Sequence, residues 1–119
     1  MIGIIVTGHG NFASGITSAV KLIGGTPKDY AYVDFPEGDS TANLAEKLKR
    51  AMNELRDASE ILVFSDLAGG SPFKTAVELS IESGKTIEVI AGSNLPMILE
   101  TITTREFADD FNALVESAI

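Results

Sequence analysis

At 119 residues, the chain has about one domain's worth of length, with 45% hydrophobic and 22% charged residues: enough apolar material for a core and too little charge for disorder. Seventeen acidic residues against nine basic ones give a net charge of -8, which speaks against a nucleic-acid binder or a polybasic membrane-surface protein and suits a partner with a basic docking face. The absence of cysteine excludes disulfides, thiolate zinc sites and cysteine nucleophiles, and a single histidine excludes a polyhistidine metal centre.

No stretch reaches the roughly 18 apolar residues of a membrane span. The opening MIGIIVTGHG lacks the basic lead-in and cleavage site of a signal peptide, so a reducing, cytoplasmic setting is expected. Ile2–Val6 reads as a first strand, stopping at Thr7-Gly8-His9-Gly10. Ala13, Ile16, Ala19, Val20 and Ile23 follow at helical spacing until Gly24-Gly25 and Pro27. Tyr30–Phe35 is a second strand, and Asp39 or Ser40 caps a helix whose stripe is Leu44, Ala45, Leu48, Ala51, Met52 and Leu55, with Glu46, Lys47, Lys49, Arg50 and Glu54 on the solvated side. Ile61–Phe64 is a third strand. Ser71-Pro72 reads as a capping hydroxyl followed by proline in the first turn, opening a helix through Phe73, Ala76, Val77 and Ser80 to Gly84. Thr86–Ala91 is a fourth strand, Gly92-Ser93-Asn94 turns into a helix near Pro96, and Phe107, Phe111, Leu114, Val115 and Ala118 mark a last amphipathic helix.

The alternation predicts one α/β domain over residues 1–119: a three-layer, doubly wound, mostly parallel sheet of order 2-1-3-4 with helices on both faces. Ligands of such sheets bind beyond the carboxyl ends of the strands, where strand order reverses. Here that point lies between strands 1 and 3, which lead into Gly8-His9-Gly10 and into Asp66 with Gly69-Gly70-Ser71-Pro72. Each piece alone has a plain reading: a structural histidine, a loop-tying aspartate, a tight turn. Together they form a device. A carboxylate accepting from one ring nitrogen leaves a lone pair on the other, and main-chain N–H groups of a glycine loop at a helix start cradle an anion. That combination points to reversible phosphoryl transfer through phosphohistidine.

Two rivals share part of the pattern. Gly8-His9-Gly10-Asn11-Phe12-Ala13 fits G-x-G-x-x-A with Asp34 about 20 residues on, as in dinucleotide binding, but the chain supplies only one mononucleotide half and places a bulky histidine at the tight turn. A receiver domain would put its phosphoacceptor at Asp66 but needs an acidic pair where Thr7-Gly8-His9 stands.

Three segments, Ile4-Ile5-Val6-Thr7-Gly8-His9-Gly10, Asp66-Leu67-Ala68-Gly69-Gly70-Ser71-Pro72-Phe73 and Val89-Ile90-Ala91-Gly92-Ser93-Asn94-Leu95-Pro96-Met97, closely resemble the enzyme IIA domain of the mannose-class sugar phosphotransferase system (PTS). Gly10-Asn11-Phe12-Ala13-Ser14-Gly15 and Asp34-Phe35-Pro36 resemble its N-acetylgalactosamine and amino-sugar members. The resemblance implies that His9 takes a phosphoryl group from phospho-HPr on Nε2, with Asp66 holding Nδ1, and passes it to a histidine or cysteine of the cognate IIB component. Ser71 matches the family's active-site serine and would bind phosphoryl oxygens with the main chain of Gly69 and Gly70, with no metal or other cofactor. Phe12 and Leu67–Pro72 would rim the site, a packing role being the alternative for Phe12, and Lys74 is a candidate phosphate contact; Lys21, Lys28, Lys85 and the charges of the second helix are expected to be solvated surface.

The implied protein is cytoplasmic, peripheral to a membrane transporter, without nucleic-acid partner or direct membrane insertion, and homodimeric. Family members usually add a strand exchanged between subunits after the last helix, and this sequence ends at Val115-Glu116-Ser117-Ala118-Ile119, about where that strand begins. Leu95, Met97, Ile98 and Ile102 are an alternative dimer contact, helical packing within the chain being the plainer reading. A regulatory domain with the same fold, or a dihydroxyacetone kinase subunit, is the functional alternative, although Gly10 and Gly69-Gly70-Ser71-Pro72 are unexpected in the latter.

Overall fold

The computed structural model describes residues 1–107 and 110–119. Nine elements alternate along it: β1 (Gly3–His9), α1 (Phe12–Gly24), β2 (Tyr30–Phe35), α2 (Thr41–Glu54), β3 (Glu60–Ser65), α3 (Ser71–Glu82), β4 (Thr86–Ile90), α4 (Leu95–Thr104) and α5 (Phe111–Ala118). The four strands form one sheet of order β2-β1-β3-β4, every pair parallel, as the sequence pattern predicts.

Period-2 alternation sorts the strand side chains onto two faces. Ile5, Val33, Ile61 and Val63 pack under α2 and α3 with Leu44, Leu48, Met52, Ala76 and Leu79. Ile4, Val6, Leu62 and Phe64 pack on the other face with Ala13 and Val20 of α1, Ile98 of α4, and Phe111 and Leu114 of α5. The order explains this division. The β1-to-β2 crossover runs one way along the sheet and the next two run the other way, so right-handed crossovers set α1 opposite α2 and α3. Among the described residues, no helix is long and apolar enough to cross a membrane.

Several local expectations change. β1 continues through Thr7, Gly8 and His9, which pair with Val33, Asp34 and Phe35; the buried Thr7 hydroxyl donates to the Val33 carbonyl at 2.9 Å, so a polar residue sits in the strand at no cost. Gly70, not Ser71, is the N-cap of α3: no side chain caps that end, and Ser71 and Pro72 open the helix. Phe107 lies outside α5 and is 79% exposed, because the Asp110 carboxylate accepts from Ala113 N–H and starts the helix later. Ile23 is exposed at the end of α1. Ile98 is fully buried, and Leu95, Met97 and Ile102 pack against the second core cluster, so these residues seat α4 on the sheet.

Three cations thought of as surface, or not singled out at all, bind main-chain carbonyls instead. Lys85 Nζ donates to the Met52 and Leu55 carbonyls at 3.2 and 2.6 Å, where the end of α2 leaves acceptors unpaired. Lys47 Nζ bonds the Asp34 carbonyl and the Asp39 carboxylate, each at 2.8 Å, while Ser40 caps α2 by accepting from Asn43 N–H. Arg105, buried at the end of α4, donates to the carbonyls of Ile2, Asp29 and Lys28, and so joins the entrances of β1 and β2.

Arg105→Met keeps the apolar stem and removes those donors. It is expected to cost about 2 kcal/mol or more in a urea titration. Lys28→Ala, which leaves its own carbonyl in place, should change little.

Candidate functional site

β1 ends on the candidate nucleophile. His9 follows Gly8, where a Cβ would lie 2.5 Å from the Phe12 ring and 2.9 Å from the Asp66 carboxyl carbon, so only glycine lets these groups close around the strand end. β3, hydrogen-bonded beside β1, delivers Asp66 to the same place. Its Oδ2 lies 2.9 Å from His9 Nδ1 and accepts from the His9 main-chain N–H at 2.9 Å; its Oδ1 accepts from Leu67 N–H at 2.8 Å. An ionised carboxylate only accepts, so in the neutral ring Nδ1 carries the proton and Nε2 keeps a lone pair. Burial pushes the Asp66 carboxyl up, but the hydrogen bonds from His9 N–H, the His9 ring and Leu67 N–H outweigh it and hold the group below its ordinary 3.8. The His9 side chain is 43% exposed and that of Asp66 15%: the acceptor is accessible and its holder is not.

The glycine loop after β3 lies against the same ring. A Cβ on Gly70 would fall 2.5 Å from His9 Cε1 and 2.7 Å from Nε2, so the Gly70 main chain forms a wall at the Nε2 edge. Gly70 has extended dihedrals, and glycine is needed there for space, not for its backbone angles. Gly69 is exposed, with open space where a side chain would be, and Ser71 is the first residue of α3, half-buried. Lys74 is exposed on the first turn of that helix. Ala68, Phe73 and Val77 line a shallow cavity of about 600 Å³ beside this loop, and Leu67 projects next to it, 55% exposed.

Sequence reasoning left the third motif without a role at the site. Gly92 N–H donates to the Asp66 carbonyl and Ser93 N–H to the Ser65 carbonyl, both at 3.0 Å, so the turn after β4 fixes the main chain that carries the carboxylate. Gly92 has φ +68, a conformation glycine adopts without strain, and this is the signal its motif carried. Asn94 accepts from Met97 N–H and caps α4. Asp34, the acid of the dinucleotide rival, instead accepts from Ser14 N–H at 2.9 Å and satisfies the first turn of α1. Among the described residues, no group of three or more His, Asp or Glu side chains is arranged to hold a metal ion.

A parallel doubly wound sheet whose switch point carries a carboxylate-held imidazole defines, together with the relatives, a component of the sugar phosphotransferase system. The chain belongs to the EIIA-man family, described as PTS system fructose IIA component, whose sequence model matches residues 3–119. As a mannose-family IIA component it is a phosphocarrier of sugar transport. It is 31% identical to the PTS fructose-specific EIIA component of Bacillus subtilis over 89% of this chain and 72% of that one. It is 30% identical to the PTS mannose-specific EIIAB component of Escherichia coli K12 over 99% of this chain, which spans only 36% of that protein. The crystal structure of phosphotransferase system component EIIA from Streptococcus agalactiae superimposes with a TM-score of 0.90 at 37% identity, covering 99% of this chain and 89% of that one. A sigma-54 interaction domain protein from Enterococcus faecalis shares the fold at a TM-score of 0.82 and 19% identity, over 98% of this chain and 87% of that one.

With one histidine in the chain, long-range ¹H–¹⁵N spectra report on this ring alone. At a pH where the ring is neutral, they should show Nδ1 protonated and Nε2 bare; Asp66→Asn should move the population toward the other tautomer. Because the Asp66 pKa is depressed on folding, its stabilisation is present above the unfolded value near 3.8 and is lost as pH falls through the folded one. The gap in urea midpoint between wild type and Asp66→Asn is therefore expected to be widest at neutral pH and to close below about pH 4.

Proposed function

We propose that His9 accepts the phosphoryl group from phosphohistidine of HPr on Nε2 and returns it to a histidine or cysteine of the cognate IIB component. The observation that carries the reading is the pairing of Nδ1 with Asp66 at 2.9 Å while Nε2 faces the Gly70 main chain at the start of α3. The bookkeeping of charge follows from that pairing. The Nε2 lone pair forms the new P–N bond as the donor's P–N bond breaks, and the protonated donor ring leaves as neutral imidazole. His9 keeps its Nδ1 proton and becomes a phosphoimidazolium, whose positive charge develops against the Asp66 carboxylate. Transfer to IIB runs the same path in reverse.

A loose, metaphosphate-like transition state asks for positioning and for donors to its equatorial oxygens. The main-chain N–H groups of Gly69 and Gly70 and the Ser71 hydroxyl are assigned to that task; they lie at the N-terminus of α3, where the helix dipole favours negative charge. The exposed Leu67 and the cavity lined by Phe73 and Val77 suit a protein partner's apolar contact, and the net charge of -8 suits a basic one. Residues 1–119 act in this reading as one cytoplasmic IIA unit at the membrane transporter, self-associating as a homodimer.

The test is label transfer from phosphoenolpyruvate through enzyme I and HPr. Wild type should take up near-stoichiometric, acid-labile, base-stable label, and His9→Ala none. Gly70→Ala, which pushes a methyl into the ring, should fold normally and lose at least tenfold in rate, about 1.4 kcal/mol of transition-state stabilisation. Absence of label on wild type, with both donor proteins active, would sink the carrier reading in favour of a regulatory domain of the same fold.

A further inference from the structure

One hydrogen bond to Nδ1 leaves an imidazole free to swing about that bond. Gly70 walls one edge of the ring. Another contact comes from the neighbouring strand. Phe35, the last residue of β2, stands in register with His9, the last residue of β1. Their rings meet edge-to-face, with centroids 6.2 Å apart and planes 65° apart, inside the range in which aromatic pairs attract. The main chain reinforces the pair: Gly10, at φ +58, turns its N–H onto the Phe35 carbonyl at 2.8 Å, closing an isolated bridge right after the histidine. Phe35 is also anchored from behind, since it packs half-buried against the core cluster under α2 and α3.

The geometry points to Phe35 as a positioning residue for phosphoryl transfer: its ring, seated on the core, fixes the tilt of the His9 imidazole and hence the direction of the Nε2 lone pair. Asp66 selects the tautomer and Phe35 selects the orientation. The inference rests on His9 being the phosphoryl acceptor, but the state of the ring is measurable without any transfer.

Phe35→Leu keeps apolar bulk in the core and removes the aromatic edge; Phe35→Met serves if leucine does not fold, and Phe35→Tyr restores a ring. In the unphosphorylated protein, ¹³C relaxation at His9 Cε1 should show a more mobile ring in the leucine variant and a wild-type ring in the tyrosine variant. The rate of phosphorylation by phospho-HPr should fall roughly two- to tenfold with leucine and recover with tyrosine, matching the modest strength of one aromatic contact. A leucine variant whose ring is as rigid as wild type overturns the inference whatever its rate, and so does a loosened ring with an unchanged rate. If wild type itself takes no label, the carrier reading fails separately, while the relaxation comparison still decides whether Phe35 orients the ring.

Discussion

The carboxylate of Asp66 accepts from the imidazole and from two main-chain N–H groups, one of them belonging to the histidine it serves. A group bound three ways is fixed in place, so it holds Nδ1 at one point and leaves the tilt of the ring to other contacts. The rest of the architecture keeps that arrangement in place. β1 and β3 are hydrogen-bonded neighbours, so their ends arrive side by side. The turn after β4 holds the Asp66 carbonyl, and Gly8 and Gly70 are bare where a methyl would collide with Asp66 or His9. The ends of three strands thus meet at Asp66, two through its carboxylate and the turn after β4 through its main-chain carbonyl, and the parallel order of the sheet is what gathers them at one end.

The architecture was legible in the sequence because buried strands and amphipathic helices write different periods. Ile4, Ile5 and Val6, or Ile61 to Phe64, are apolar on both faces and read as strands; the stripe of Leu44, Leu48 and Met52 reads as a helix. The pairing of His9 with Asp66 was legible as well, since a histidine and an acid at the ends of two adjacent strands leave few other arrangements. Less legible were interactions in which a side chain satisfies the main chain of a distant segment. Nothing in the local pattern around Lys85 or Arg105 distinguishes a solvated cation from one bound to carbonyls 30 to 103 residues away. The boundary at Ser71 failed for a related reason: serine before proline reads as a cap, whereas packing against His9 placed the smaller Gly70 at that position.

A fold supplies a place for a site and does not by itself set its chemistry. A sheet of this order supplies a switch point, and what occupies it decides the chemistry. Here the acid that a dinucleotide site would direct at a ribose closes the first turn of α1.

The ion pair of Lys47 also bears on how such sheets meet one another. The Phe35 carbonyl points toward β1, so the Asp34 carbonyl before it points outward from the β2 edge, and it is occupied by Lys47 Nζ. Lys21 lies over the ring of Tyr32 on the same strand, 5.6 Å from its centroid. An incoming strand would find the Asp34 carbonyl already engaged and a lysine side chain lying across the edge, which is one way sheets discourage edge-to-edge growth.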